Sequence, residues 1–179
     1  MFSSRFSRIV LSLFVLASSI WLGLAVARLA VGYDAFVAVT VTLKQKLSQP
    51  VLLQTIWLYT SLGMWTTIAY ATAAATGLLV LWLVRQSFKT HGWVLMSAIL
   101  FVILIPAQAY LIDADLLLWS FFDYHTGMPL AQPGQIINVF ASRFSNQAIG
   151  ITTSLVLLSG ITIVLFTTMR PLHNTATNE

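Results

Sequence analysis

Four long apolar stretches of this chain contain no Asp, Glu, Lys or Arg: residues 9–27, 47–84, 90–112 and 144–169. The hydrocarbon core of a bilayer is about 30 Å thick and a helix rises about 1.5 Å per residue, so about 20 apolar residues cross it once. Each stretch can hold one crossing, and none can hold two with a turn between them. The pattern predicts an all-α, integral membrane four-helix bundle with spans over approximately 9–29, 56–84, 93–113 and 147–169. The connecting pieces at residues 30–55 and 114–146 are too short for a soluble catalytic domain, so 1–179 reads as a single membrane domain.

Composition agrees. Charged residues make up 8% of the chain and hydrophobic ones 58%, whereas soluble domains carry about 25% charged residues. The net charge of +4 comes from Lys and Arg scattered singly or in pairs. No basic stripe interleaved with aromatics exists, which argues against nucleic acid as a partner. There is no cysteine, so disulfides, thiolate catalysis and iron–sulfur ligation are excluded.

Arg5, Arg8, Arg85, Lys89 and Arg170 fall on one side of the threaded chain, and Arg28, Lys44, Lys46 and Arg143 on the other. Asp34, Asp113, Asp115 and Asp123 share the second side and neutralise it. The distribution favours both termini on the cytoplasmic side of a multi-pass protein of the bacterial inner membrane. Arg5 and Arg8 before an apolar run ending in Ala25-Val26-Ala27 also resemble a signal peptide. The apolar run exceeds the usual 7–15 residues of such a signal, so a retained anchor is expected.

Between spans one and two, Phe36, Val39, Leu43 and Leu47 lie at helical spacing behind Asp34. A short amphipathic surface helix ending before Pro50 is expected there, because an isolated strand would leave its backbone unpaired. The third connection, TGMPLAQPGQ, reads as an irregular exposed loop.

Lipid tails are as apolar as leucine, so small-residue ridges and hydroxyls govern helix packing in a bilayer. Ridges at spacing four occur at Ser19, Gly23 and Ala27, at Ala69, Ala73 and Gly77, and at Gly150 and Ser154. Internal packing is the first reading. The sharper one makes Ala69, Ala73 and Gly77 a docking ridge for a foreign helix. Thr60, Thr66, Thr67, Thr72 and Thr76 can bond back to their own helix or across to a neighbour. Trp21, Trp57, Trp82, Trp93 and Trp119 read as interfacial anchors.

No phosphate-binding loop, dinucleotide turn or HExxH pair is present, and Glu179 is the sole glutamate. His91, His125 and His173 all lie outside the spans. No catalytic residue, metal ligand or cofactor is therefore expected. The remaining chemistry sits in IDADLLLWSFFDYH, residues 112–125. Asp113 lies twenty residues beyond Trp93, about one hydrocarbon thickness, which places it at the far interface.

Asp113 and Asp115 are thus expected to end span three and to pair with Arg28 or Arg143 in a partly solvated ion cluster. One alternative has a helix bent at Pro106 present both acids to a polar cavity that binds a proton or cation. Another has Asp113, Asp115, Asp123 and His125 hold a metal. Residues two apart on a helix point about 200° apart, so only a loop could bring the first two together.

The leading expectation for function is a non-catalytic integral-membrane subunit of a larger multiprotein assembly, in contact with membrane lipid and other integral membrane subunits. A channel or ion-coupled transporter component using Asp113 and Asp115 ranks second.

Overall fold

The computed structural model describes residues 5–37, 41–89 and 91–169. The described residues form five α-helices: α1 (Arg5–Asp34), α2 (Gln49–Val84), α3 (Gly92–Trp119), α4 (Pro133–Ser145) and α5 (Gln147–Met169). Helices α1, α2, α3 and α5 are long and apolar enough to cross a membrane. A single 3-10 turn, Arg85–Ser87, tightens the hairpin between α2 and α3. Val39, Arg170, His173 and Glu179 lie outside the described residues.

The helices overrun the expected spans at the end of the bundle that carries the long connections. Helix α2 begins at Gln49 with Pro50 in its first turn, where the missing proline N–H has no helical partner to lose. Helix α3 runs through Pro106 to Trp119. The carbonyl of Val102, four residues earlier, belongs to an outward-facing residue.

Neighbouring helices pass each other in opposite directions. Along α1, Phe14 meets Gly77, Trp21 meets Tyr70 and Arg28 meets Tyr59 of α2. Helix α3 lies diagonally across the bundle from α1 and runs parallel to it, their side chains meeting at the centre as Phe101 against Phe14 and Asp115 against Arg28. Helix α5 packs Gly160 under the Trp21 ring. Leu16, Leu79, Val102 and Leu158 point outward. Such helices are apolar on every side, one side facing lipid and the other the bundle.

Two apolar clusters form the interior. One, built on Phe14, Trp21, Tyr70, Phe101 and Ile163, fills the middle of the spans. The other, built on Phe36, Ile56, Tyr59, Leu118, Phe122, Ile136 and Phe140, closes the end where the long connections lie.

Several expectations change. No surface helix lies between spans one and two among the described residues. Phe36 forms an isolated antiparallel bridge with Leu43, and the backbones of Val37 with Thr42 and of Lys44 with Ala35 pair beside it. This tight reversal buries Phe36 at 3% exposure against Phe140, so the aromatic anchor outweighs the helical spacing. The amphipathic helix lies in the third connection instead. There Pro133 starts α4, and Ile136, Phe140 and Arg143 share its buried face.

The tryptophans divide as well. Trp82 is exposed, but Trp21 and Trp93 are 3% and 5% exposed and belong to the core, not to an interfacial belt. The ridge Ala69, Ala73, Gly77 is occupied from within. A Cβ at Gly77 would come within 2.6 Å of the Phe101 ring and 2.9 Å of the Phe14 ring, so it is not available to a foreign helix. In α2 all six threonine hydroxyls, Thr55 included, donate to the carbonyl four residues earlier.

Candidate functional site: a buried arginine–aspartate–arginine cluster

The two apolar clusters are separated by a layer of charge. Leu111, Asp115 and Leu118 share the buried face of α3, which turns Asp115 toward the bundle axis, while Asp113, two residues away, is exposed. Arg28 reaches the same point from α1, and the buried stripe of α4 delivers Arg143. Exposure of Arg28, Asp115 and Arg143 is 8%, 2% and 9%. The expected cluster therefore forms without Asp113, and its three side chains are buried, not partly solvated.

Arg28 Nη1 donates to Asp115 Oδ2 at 2.7 Å, and Arg143 Nη2 donates to the same oxygen at 3.3 Å. Arg143 Nε lies 2.7 Å from Asp115 Oδ1, but its N–H is directed at the Tyr59 hydroxyl oxygen, 2.6 Å away. Arg28 Nε donates to the Tyr59 carbonyl at 3.3 Å, and its guanidinium carbon lies 4.1 Å from the centre of the Tyr59 ring. Tyr59 thus serves both arginines, through its ring and carbonyl for one and its hydroxyl for the other.

Glycine makes the approach possible. A Cβ at Gly63 would fall 2.9 Å from the Arg28 guanidinium carbon, so the planar cation lies flat on the α2 backbone. Neither Tyr59 nor Gly63 carries a mark in the sequence that separates it from other span residues. Their role emerges only when α1 is laid against α2.

One aspartate between two arginines leaves a net charge of +1 in a site removed from water. Removing charge from water costs several kcal/mol per ion unless pairing and hydrogen bonds compensate. Compensation here is partial: Arg28 Nη2, Arg143 Nη1 and Asp115 Oδ1 have no hydrogen-bond partner within the described protein.

Two small cavities adjoin the cluster. One of about 40 Å³ is lined by residues including Arg28, Tyr59, Thr66, Gln108 and Arg143. The other, of about 90 Å³, is lined by residues including Tyr33, Tyr59, Arg143, Gly150 and Ser154.

The remaining acids of this region do other work. Asp123 accepts hydrogen bonds from the Thr126 hydroxyl at 2.7 Å and the His125 backbone N–H at 3.0 Å. These hold its carboxyl below the usual carboxylate range, the Thr126 bond contributing most. The residues once grouped as a metal set are thus dispersed, and no group of three His, Asp or Glu suited to a metal occurs among the described residues. Comparison with protein-family models, with curated proteins and with solved structures finds no match to this chain.

Proposed function

We propose that this chain is a non-catalytic integral-membrane subunit of a larger multiprotein inner-membrane assembly, with both termini on the cytoplasmic side. The observation that carries this reading is the commitment of the buried Asp115 to two arginines. An acid held in this way fastens three helices together and is not free to pass ions. Above that layer, α4 and the two long connections form one packed platform. The platform offers Tyr124, Met128 and Leu130 at 54%, 66% and 68% exposure, and large apolar side chains at such a surface suit contact with another protein.

A channel or ion-coupled transporter component using Asp113 and Asp115 is the weaker reading. The α2 threonine hydroxyls that would line its pathway donate to their own helix. Purification from membranes in mild detergent followed by mass spectrometry tests the proposal. Integral membrane companions in fixed stoichiometry are expected, and a chain that runs alone overturns it.

A further inference from the structure

We propose that the arginine cluster is the floor of a lateral binding site for a singly charged phosphate group, reached between α1 and α5. Three independent features point there. The cluster carries one surplus positive charge among side chains at least nine-tenths buried. Two of its guanidinium nitrogens, Arg28 Nη2 and Arg143 Nη1, lack a hydrogen-bond partner. Arg143 lines both adjoining cavities, which also share Leu29, Tyr59, Thr153 and Leu157.

The larger cavity gives the route. Its rim includes Tyr33 of α1 and Gly150 and Ser154 of α5, all exposed, while Tyr59 and Arg143 at its depth are buried. At about 90 Å³ it exceeds several-fold the roughly 10–15 Å³ that one water needs. The opening faces the side of the bundle, at the level where span ends meet the lipid headgroups. The phosphodiester of a net-anionic lipid, which has no choline cation of its own to balance it as phosphatidylcholine has, would bring the cluster to neutrality, and its oxygens suit guanidinium donors. Asp115 repels an incoming anion, but its charge is already shared between two cations. The same phosphate chemistry comes from the headgroup of an anionic lipid or from free inorganic phosphate. The lateral opening, flanked by the apolar Leu29, Ile149 and Leu157, favours the lipid.

The test uses the full chain in nanodiscs of phosphatidylcholine alone, of phosphatidylcholine containing phosphatidylglycerol, and of phosphatidylcholine with added inorganic phosphate. The readout is the thermal unfolding midpoint. Gly150→Phe places bulk in the opening, where an added Cβ meets nothing within 4 Å. Its midpoint in phosphatidylcholine should equal that of the parent, and Ser154→Phe supplies the same block if it does not. Phosphatidylglycerol should raise the parent's midpoint, and the blocked variant should need at least tenfold more to match it. A rise with inorganic phosphate, lost in the blocked variant, upholds the site and assigns it to a free anion. No rise with either, or an equal rise in parent and blocked variants, overturns the proposal.

Discussion

Asp113 and Asp115 stand two residues apart on one helix and inhabit different media, the first exposed and the second 2% exposed between Arg28 and Arg143. Asp115→Asn would leave two buried cations without a counter-charge, and removal of one partner from a buried ion pair costs about 3–5 kcal/mol. Asp113→Asn alters an exposed position, where changes stay within about 0.5 kcal/mol. Thermal and denaturant unfolding in one detergent should separate the two variants clearly. Equal stabilities would contradict the buried cluster.

Tyr59→Phe keeps the ring under Arg28 and removes the hydroxyl that accepts from Arg143 Nε. A buried donor left unpaired costs about 1–3 kcal/mol. The loss should disappear in an Arg143→Met background, where no donor remains to be orphaned, and a double-mutant cycle measures this coupling.

Gly77→Val should destabilise by about 1–3 kcal/mol, because its side chain must displace the Phe14 and Phe101 rings in a filled core. Gly23→Ala meets nothing within 4 Å. It should be neutral or stabilising by up to about 1 kcal/mol, since alanine restricts the unfolded backbone. The contrast in unfolding midpoints reports which small-residue ridge is packed internally.

The Asp123 carboxyl, held low by Thr126 and His125, should protect the 123–130 turn at pH values above the ordinary carboxylate pKa of about 3.9. That protection is lost as pH falls through the depressed folded value. Hydrogen exchange of this segment, corrected for intrinsic rates, should therefore loosen below about pH 4. Asp123→Asn should exchange faster at pH 5 and show no such step.

Gly127 sits at φ +69°, and a Cβ there would meet the Trp57 indole nitrogen at 2.8 Å. Gly127→Ala should cost about 1–3 kcal/mol through backbone strain and contact together. It should also shift Trp57 fluorescence, which an unperturbed emission spectrum would disprove.

The four long apolar helices were legible because long charge-free apolar runs leave a chain few other places to go. The 147–169 span is that of α5. Helical periodicity was a poorer guide beyond the spans. Phe36, Val39, Leu43 and Leu47 fit a helix face, yet Phe36 pairs with Leu43 across a reversal because Phe140 and Phe144 offer it a stack. The Gly-Pro punctuation of the third connection concealed α4, although Ile136, Phe140 and Arg143 recur at helical spacing.

Arg28, Asp115 and Arg143 could be named from their depth in the chain. Which aspartate faces inward depends on the rotation of α3, and that is set by Leu111 and Leu118 packing on either side of Asp115. Sequence spacing gives the angle between two side chains but not the direction of either.

Helix α4 changes the electrical state of what lies beneath it. Arg28 and Asp115, contributed by α1 and α3, form a balanced couple through the 2.7 Å contact, and the surplus charge arrives only with Arg143. During synthesis, then, a three-span intermediate can close around a neutral pair. Helix α4 covers that pair as a charged capstone before α5 completes the bundle, and how tightly it seats depends on which counterions its surroundings supply.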